Sequence, residues 1–218
     1  MSEPRRPDLE RMYHRYLETE NTAWFIRTVA DRYLLSTLER LAGGGRHVSR
    51  RAAIMALGFL GDFAQNAALG QALTDRDRGV RLLADSGIRQ LWRRDGNARQ
   101  RAELARICRL NNNEQYREAI REAGALIDDA PQFAEIWNQR AIGYFAQQKF
   151  EDAANDCHQT LELNPYHFGA AVGMAHCYLH LDEPIAALEN FHRALRLNPD
   201  LEDVKAQIEM IQRALEGR

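Results

Sequence analysis

The sequence predicts an all-α protein whose helix pairs stack into an α/α superhelix, or solenoid. Three observations carry this. Residues 134–165 and 168–199 are two copies of one pattern with a period of 34. A different register, of 31, runs through the segment before them. No stretch alternates apolar and polar residues for long enough to predict a strand.

From the start of the chain, residues 8–18 and 22–42 read as two helices. Leu34, Leu35, Leu38 and Leu41 form a helical stripe, and Gly43-Gly44-Gly45 ends it. Residues 49–62 then read Ser-Arg-Arg-Ala-Ala-Ile-Met-Ala-Leu-Gly-Phe-Leu-Gly-Asp. Shifted by 31, Arg50 pairs with Arg81, Ala53 with Ala84, Leu57 with Ile88 and Leu60 with Leu91. The same step backwards pairs Asp62 with Asp31 and Leu69 with Leu38. A joint is expected near Asp95-Gly96-Asn97.

In the C-terminal half, Ala141 and Ala175 share position 8, Tyr144 and Tyr178 position 11, Ala153 and Ala187 position 20, and Pro165 and Pro199 position 32. Small residues let the two helices of a unit approach closely, where larger ones would overpack. Proline cannot continue a helix and sets the break before the next unit. A degenerate copy precedes them at 100–133, with Tyr116, Ala119, Ile120 and Pro131 in register. Its first helix is expected over 102–110, with Asn111-Asn112-Asn113 as the turn. Beyond Pro199, Val204, Ile208, Ile211 and Leu215 share one helical face, as a capping helix over 201–215 requires.

Trp137 at position 4, together with positions 8, 11, 20 and 32, makes this half resemble the tetratricopeptide repeat. Residues 49–79, with Ala56 to Asp62 and Asp75-Arg76-Asp77, are similar to short HEAT-like repeats. The expected organisation is therefore N-terminal helices (1–45), a HEAT-like module (46–96), three tetratricopeptide units (100–133, 134–167, 168–199) and a cap (200–218).

Composition narrows the class. With 45% hydrophobic and 28% charged residues, the chain reads as an ordinary globular protein. No apolar run approaches a membrane span, and Met1-Ser2-Glu3-Pro4-Arg5-Arg6 lacks the apolar core of a signal peptide. Cys108, Cys157 and Cys177 have no paired spacing, which points to a reducing, cytoplasmic setting. The net charge of −2 is uneven: residues 44–109 carry 13 basic and 6 acidic side chains, and residues 110–218 carry 9 and 18. That asymmetry can steer partners of opposite sign to the two halves.

No catalytic residue, metal or cofactor is expected. There is no Gly-rich phosphate loop, no Gly-x-Ser-x-Gly and no Cys-x-x-Cys. His176 and His180 are four apart on one helix, but two ligands are too few for a metal without a third, for which Cys157, His158 and His167 are remote donors. The resemblance implies instead that positions 2, 5, 9, 12 and 13 of each first helix face a concave groove for a partner's peptide or amphipathic helix. Those positions give Leu104, Cys108, Glu135, Asn138, Ile142, Phe145, Val172, His176, Leu179 and His180. At the places where chaperone-binding relatives hold a terminal carboxylate stand Leu104, Cys108, Gln139, Gly169 and Gly173, with no cation among them.

The expected function is a non-enzymatic protein-interaction scaffold. Two alternatives belong to other classes. One is nucleic-acid binding by the basic middle, through Arg76, Arg81, Arg89, Arg93 and Arg94, although acidic residues interrupt that run. The other is an enzyme of the HEAT-repeat lyase kind, which rests on repeat shape only; the His-Glu dipeptide of the related hydroxylases is absent.

Overall fold

In the computed structural model, residues 8–217 are described, and all the regular structure among them is helical. The first six residues, read above for a signal peptide, lie outside them. The chain divides into two compact units between Trp92 and Arg93. Asp95, Gly96 and Asn97, expected to join two modules, therefore belong to the second unit, where Asn97 caps a helix.

The first unit contains α1 (Asp8–Thr19), α2 (Thr22–Ala30), α3 (Leu35–Gly43), α4 (His47–Leu60), a 3-10 turn (Phe63–Gln65), α5 (Asn66–Ala72) and α6 (Arg78–Trp92). The single helix expected over 22–42 is two helices. Phe25, Val29 and Leu38 are all fully buried. At 100° per residue, nine positions separate Val29 from Leu38 by half a turn, so a straight helix could not bury both. The break at 31–34 resolves the conflict and leaves Leu34 75% exposed.

Helix α4 packs against α1, α2, α3, α5 and α6 and is buried on nearly all sides. Its glycine meets α6: a Cβ on Gly58 would lie 3.0 Å from the Gly87 Cα, and one on Gly87 would lie 2.8 Å from the Leu69 side chain. Two arginines fasten its N-terminal half. Arg50 clasps Asp75 at 2.8 Å through two nitrogens, and Arg51 clasps Asp77 at 2.7 and 2.9 Å. Arg81, the partner of Arg50 in the register of 31, donates to the Asp75 carbonyl at 3.0 Å. Both arginines thus converge on the Asp-Arg-Asp turn. The Arg51 guanidinium holds the Asp77 carboxyl down at about 2.

The second unit contains α7 (Ala98–Asn112), α8 (Tyr116–Asp129), α9 (Ala134–Ala146), α10 (Phe150–Leu163), α11 (Phe168–His180), α12 (Pro184–Leu197) and α13 (Glu202–Glu216). Each helix from α7 to α13 packs on the next, and α7 also packs on α9. The expected small residues lie at these crossings: Ala119, Ala153, Ala175 and Ala187 are fully buried and Ala141 is 3% exposed.

The turns inside the three helix pairs repeat in detail. Glu114, Gln148 and Asp182, spaced by 34, each have φ near +60°. In each case the next residue donates five residues back: Gln115 to Leu110, Lys149 to Tyr144 and Glu183 to Tyr178. These are Schellman ends, which satisfy the last helical carbonyls. The degenerate copy therefore shares the geometry of the other two although it lacks their aromatic residues.

Its first helix is longer than the expected 102–110: Asn111 and Asn112 belong to it, and only Asn113 of the three asparagines lies in the turn. Asn111 is buried, its amide donating to the Gln139 carbonyl at 2.9 Å and to the Gln139 side chain at 3.0 Å. A partner on α9 holds it in the helix, and the turn falls at Asn113 and Glu114. The cap forms as expected: Val204, Ile208 and Ile211 are buried with Ala175, Ala187 and Phe191.

Candidate functional site

The first helices of the three pairs, α7, α9 and α11, carry the residues expected to face a groove, all within the second unit. Four of the ten are engaged elsewhere. Leu104 is 1% exposed and packs with Ile107, Phe133 and Ile136, because α7 lies directly on α9. Glu135 is 4% exposed. Val172 and Leu179, half-buried, pack against the cluster that α13 closes.

Glu135 anchors a buried polar chain. It accepts from His167 Nε2 at 3.0 Å, from Gln139 Nε2 at 2.8 Å and from Asn138 at 3.3 Å. His167 Nδ1 accepts the Ala170 N–H at 2.9 Å, so the ring proton sits on Nε2 and is donated to Glu135. Burial alone would raise the Glu135 carboxyl; the hydrogen bonds from His167 and Gln139 outweigh it and hold the group below its usual value. With Asn111 bonded to Gln139, the chain runs from α7 through α9 to the residue that caps α11.

The other six leave surface accessible. Ile142 is 43% exposed, His180 is exposed, and Cys108, Asn138, Phe145 and His176 are partly buried. Three aromatic rings hold the two histidines. His180 stacks on Phe150 at 4.3 Å with the planes 3° apart and meets Phe145 edge-on at 5.4 Å. His176 meets Phe191 at 5.2 Å and Phe145 at 6.4 Å, also edge-on. Burial, and next the charge of His180, keeps the His176 imidazole below its usual value.

The sequence reading did not connect two further residues, Phe150 and Arg93, with these positions. Phe150, the first residue of α10, supplies the stacking ring, and its place beside His180 follows only from the pairing of α10 with α11. Arg93 acts on both Cys108 and Glu135, opposing the rise that burial imposes on the Cys108 thiol.

The basic run is divided between the units, with Arg76, Arg81 and Arg89 in the first and Arg93 and Arg94 in the second. Arg89 pairs with Asp85 at 3.1 Å, and burial lowers Arg94. Arg76 lines an open hollow with Arg46, His47, Arg50 and Asp77. Among the described residues no group of three or more His, Cys, Asp or Glu side chains could hold a metal ion. No helix among them is long and apolar enough to cross a membrane. The three cysteines are free thiols.

A repeat scaffold with one partly open face is what these features define. The comparisons add which repeat it is. Residues 144–208 match the family model described as Tetratricopeptide repeat. A TPR repeat-containing protein of Rhizobium etli is 30% identical over 87 residues, covering 40% of this chain and 43% of that protein. The SGT1 homolog of Bos taurus is 31% identical over 99 residues, or 45% of this chain and 29% of that protein. The chain therefore spans less than half the length of these curated relatives. Among solved structures, the first TPR of Spaghetti (RPAP3), bound to the HSP90 peptide SRMEEVD, superposes with a TM-score of 0.52 at 23% identity. The match covers 54% of this chain and 93% of that one. Residues 144–208 thus carry tetratricopeptide repeat sequence.

Proposed function

We propose that the second unit is a non-enzymatic scaffold module that holds an extended peptide or helix of a partner protein across α7, α9 and α11. The observation that carries this is the accessible stripe on those helices: Ile142 exposed, with Asn138, Phe145 and His176 partly open beside it. Apolar area with a few amides and imidazoles suits a peptide that presents both side chains and backbone. The Spaghetti repeat, which shares the fold, is bound to a peptide, and that supports the reading. A terminal-carboxylate clamp is not part of it, since Leu104, Cys108, Gln139, Gly169 and Gly173 stand at those places.

In this reading the first unit is a HEAT-like pair array serving as a second contact surface or a spacer, and the protein works in the cytoplasm. The test replaces Asn138, Phe145 and His176 together by alanine and compares pull-downs from the native source. Loss of a partner from the triple variant is expected. Retention of every partner by a folded variant overturns the proposal.

A further inference from the structure

Among the described residues of the second unit, the exposed large apolar side chains are Ile142, Ile185 and Met210. Ile142 alone of these lies on α7, α9 or α11, and α9 is the middle helix of the three. Asn138, four residues before it, and Phe145, three after it, share its face of α9, and both are partly buried. One period of 34 later stands His176 on α11, which packs on α9. His176 meets the Phe145 ring edge-on at 6.4 Å, and His180 and Phe150 stack beside the same ring. Where α9 and α11 meet, the surface is therefore one open aliphatic side chain with rings around it.

No lysine, arginine or carboxylate is free in this patch. Helix α11 contains none, and α9 contains two charged residues, both engaged elsewhere. Glu135 is buried and accepts from His167 at 3.0 Å; Arg140 is clasped by Asp156 at 2.7 and 2.8 Å. Lys149, the first charged residue after α9, lies over the Tyr144 ring at 5.7 Å. Burial keeps the His176 imidazole below its usual value, so this ring is neutral at about pH 7.5. Charge returns at the rim, with Glu151 and Asp152 after Phe150 and with Asp182 and Glu183 after α11.

We infer that the partner segment held here seats one large aliphatic or aromatic side chain on Ile142 and Phe145, with uncharged residues beside that anchor. The inference rests on the groove reading above and names the chemistry of its occupant. An anchor of this kind takes the open surface of Ile142 out of water, which is the main favourable term in such an association. A charged side chain of either sign would lose hydration there and find no counter-charge, so both signs are rejected. The position is central among the three helices, and the residues that dominate an interface cluster near its centre. Asn138, His176 and His180 surround the anchor with groups able to meet backbone N–H and C=O of the segment. Side-chain recognition is left to shape and apolar area.

The test pans a random dodecapeptide display library over the full chain at about pH 7.5. Recovered peptides are resynthesised and titrated by fluorescence anisotropy in about 50 and about 300 mM salt, a range over which interactions between exposed charges weaken markedly. Peptides sharing one Leu, Ile, Met, Phe or Trp are expected, with affinities that differ less than about threefold between the two salts. Alanine at the anchor should weaken binding at least about tenfold, and Asp or Lys there should abolish it alike. These changes leave the protein unaltered. On the protein, Ile142→Asp should abolish binding and keep the thermal midpoint, because the position is exposed. Peptides that need Asn138 and Phe145 overturn this inference and leave the groove reading standing if any of three results appears: a charged anchor, weakening by salt beyond about threefold, or binding that survives Ile142→Asp. Recovery of no peptide that depends on Asn138 or Phe145 overturns both.

Discussion

At the scale of single residues, carboxylates in this protein are perturbed by what they are bonded to as much as by burial. Asp77 is held at about 2 because Arg51 grips both its oxygens, with the Val80 N–H as a further donor. Its folded value lies below the ordinary 3.8, so the stabilisation is present above about pH 4 and is lost as pH falls toward 2. Asp77→Asn should therefore unfold at lower urea than the parent at pH 6, with the difference much reduced by pH 2 and lost as pH falls through that value; an equal difference at pH 6 and pH 2 would refute the assignment. Glu135 was legible in the sequence only as a position on a repeat. Its actual role comes from His167, 32 residues away, which no local pattern announces. Asn111 misled for a related reason: asparagine suits turns, yet a long-range partner can keep it helical.

At the scale of elements, the periodic residues were the readable ones. Alanines at positions 8 and 20 and prolines at 32 mark helix crossings and breaks because sterics allow little else there. The capping helix was readable too, since one apolar stripe has one way to face the core. The split between α2 and α3 was not, because Leu34, Leu35, Leu38 and Leu41 imitate a continuous stripe and only the burial of Val29 and Leu38 together rules it out. The three left-handed turns were invisible for a different reason: Glu, Gln and Asp occupy a conformation that glycine favours. Gln148→Gly should consequently stabilise the second unit by about 0.5–1 kcal/mol, read as a rise in its thermal midpoint; Gln148→Val at the same place should lower it.

At the scale of the whole molecule, stability in the C-terminal half is shared between neighbours, as in other stacked arrays. Its last open face is closed by α13, which buries Val204, Ile208 and Ile211 against Phe191 and leaves Val172 and Leu179 half-covered. Removal of residues 202–218 should expose that cluster, lower the unfolding midpoint and produce concentration-dependent association in analytical ultracentrifugation. A monomeric truncated chain of unchanged midpoint would contradict the capping role. The sequence indicated the residues of the proposed groove by position alone. Half of what decides their use, burial under α13 and the aromatic walls around two histidines, depends on which helices meet, and that lies beyond any repeat pattern.

The polar chain from Asn111 through Gln139 and Glu135 to His167 has a mechanical consequence. Apolar helix faces slide on one another at modest cost, because one methyl group is nearly as good a neighbour as the next. Hydrogen bonds between buried groups are directional and lose most of their strength when displaced by an ångström. Pinned at these points, α7, α9 and the start of α11 resist shear, so the spacing of the stripe they carry is set before anything binds. In the proposed reading, a segment lying across them would meet a fixed ruler, and the ordering cost of association would fall on the segment rather than on the surface that measures it.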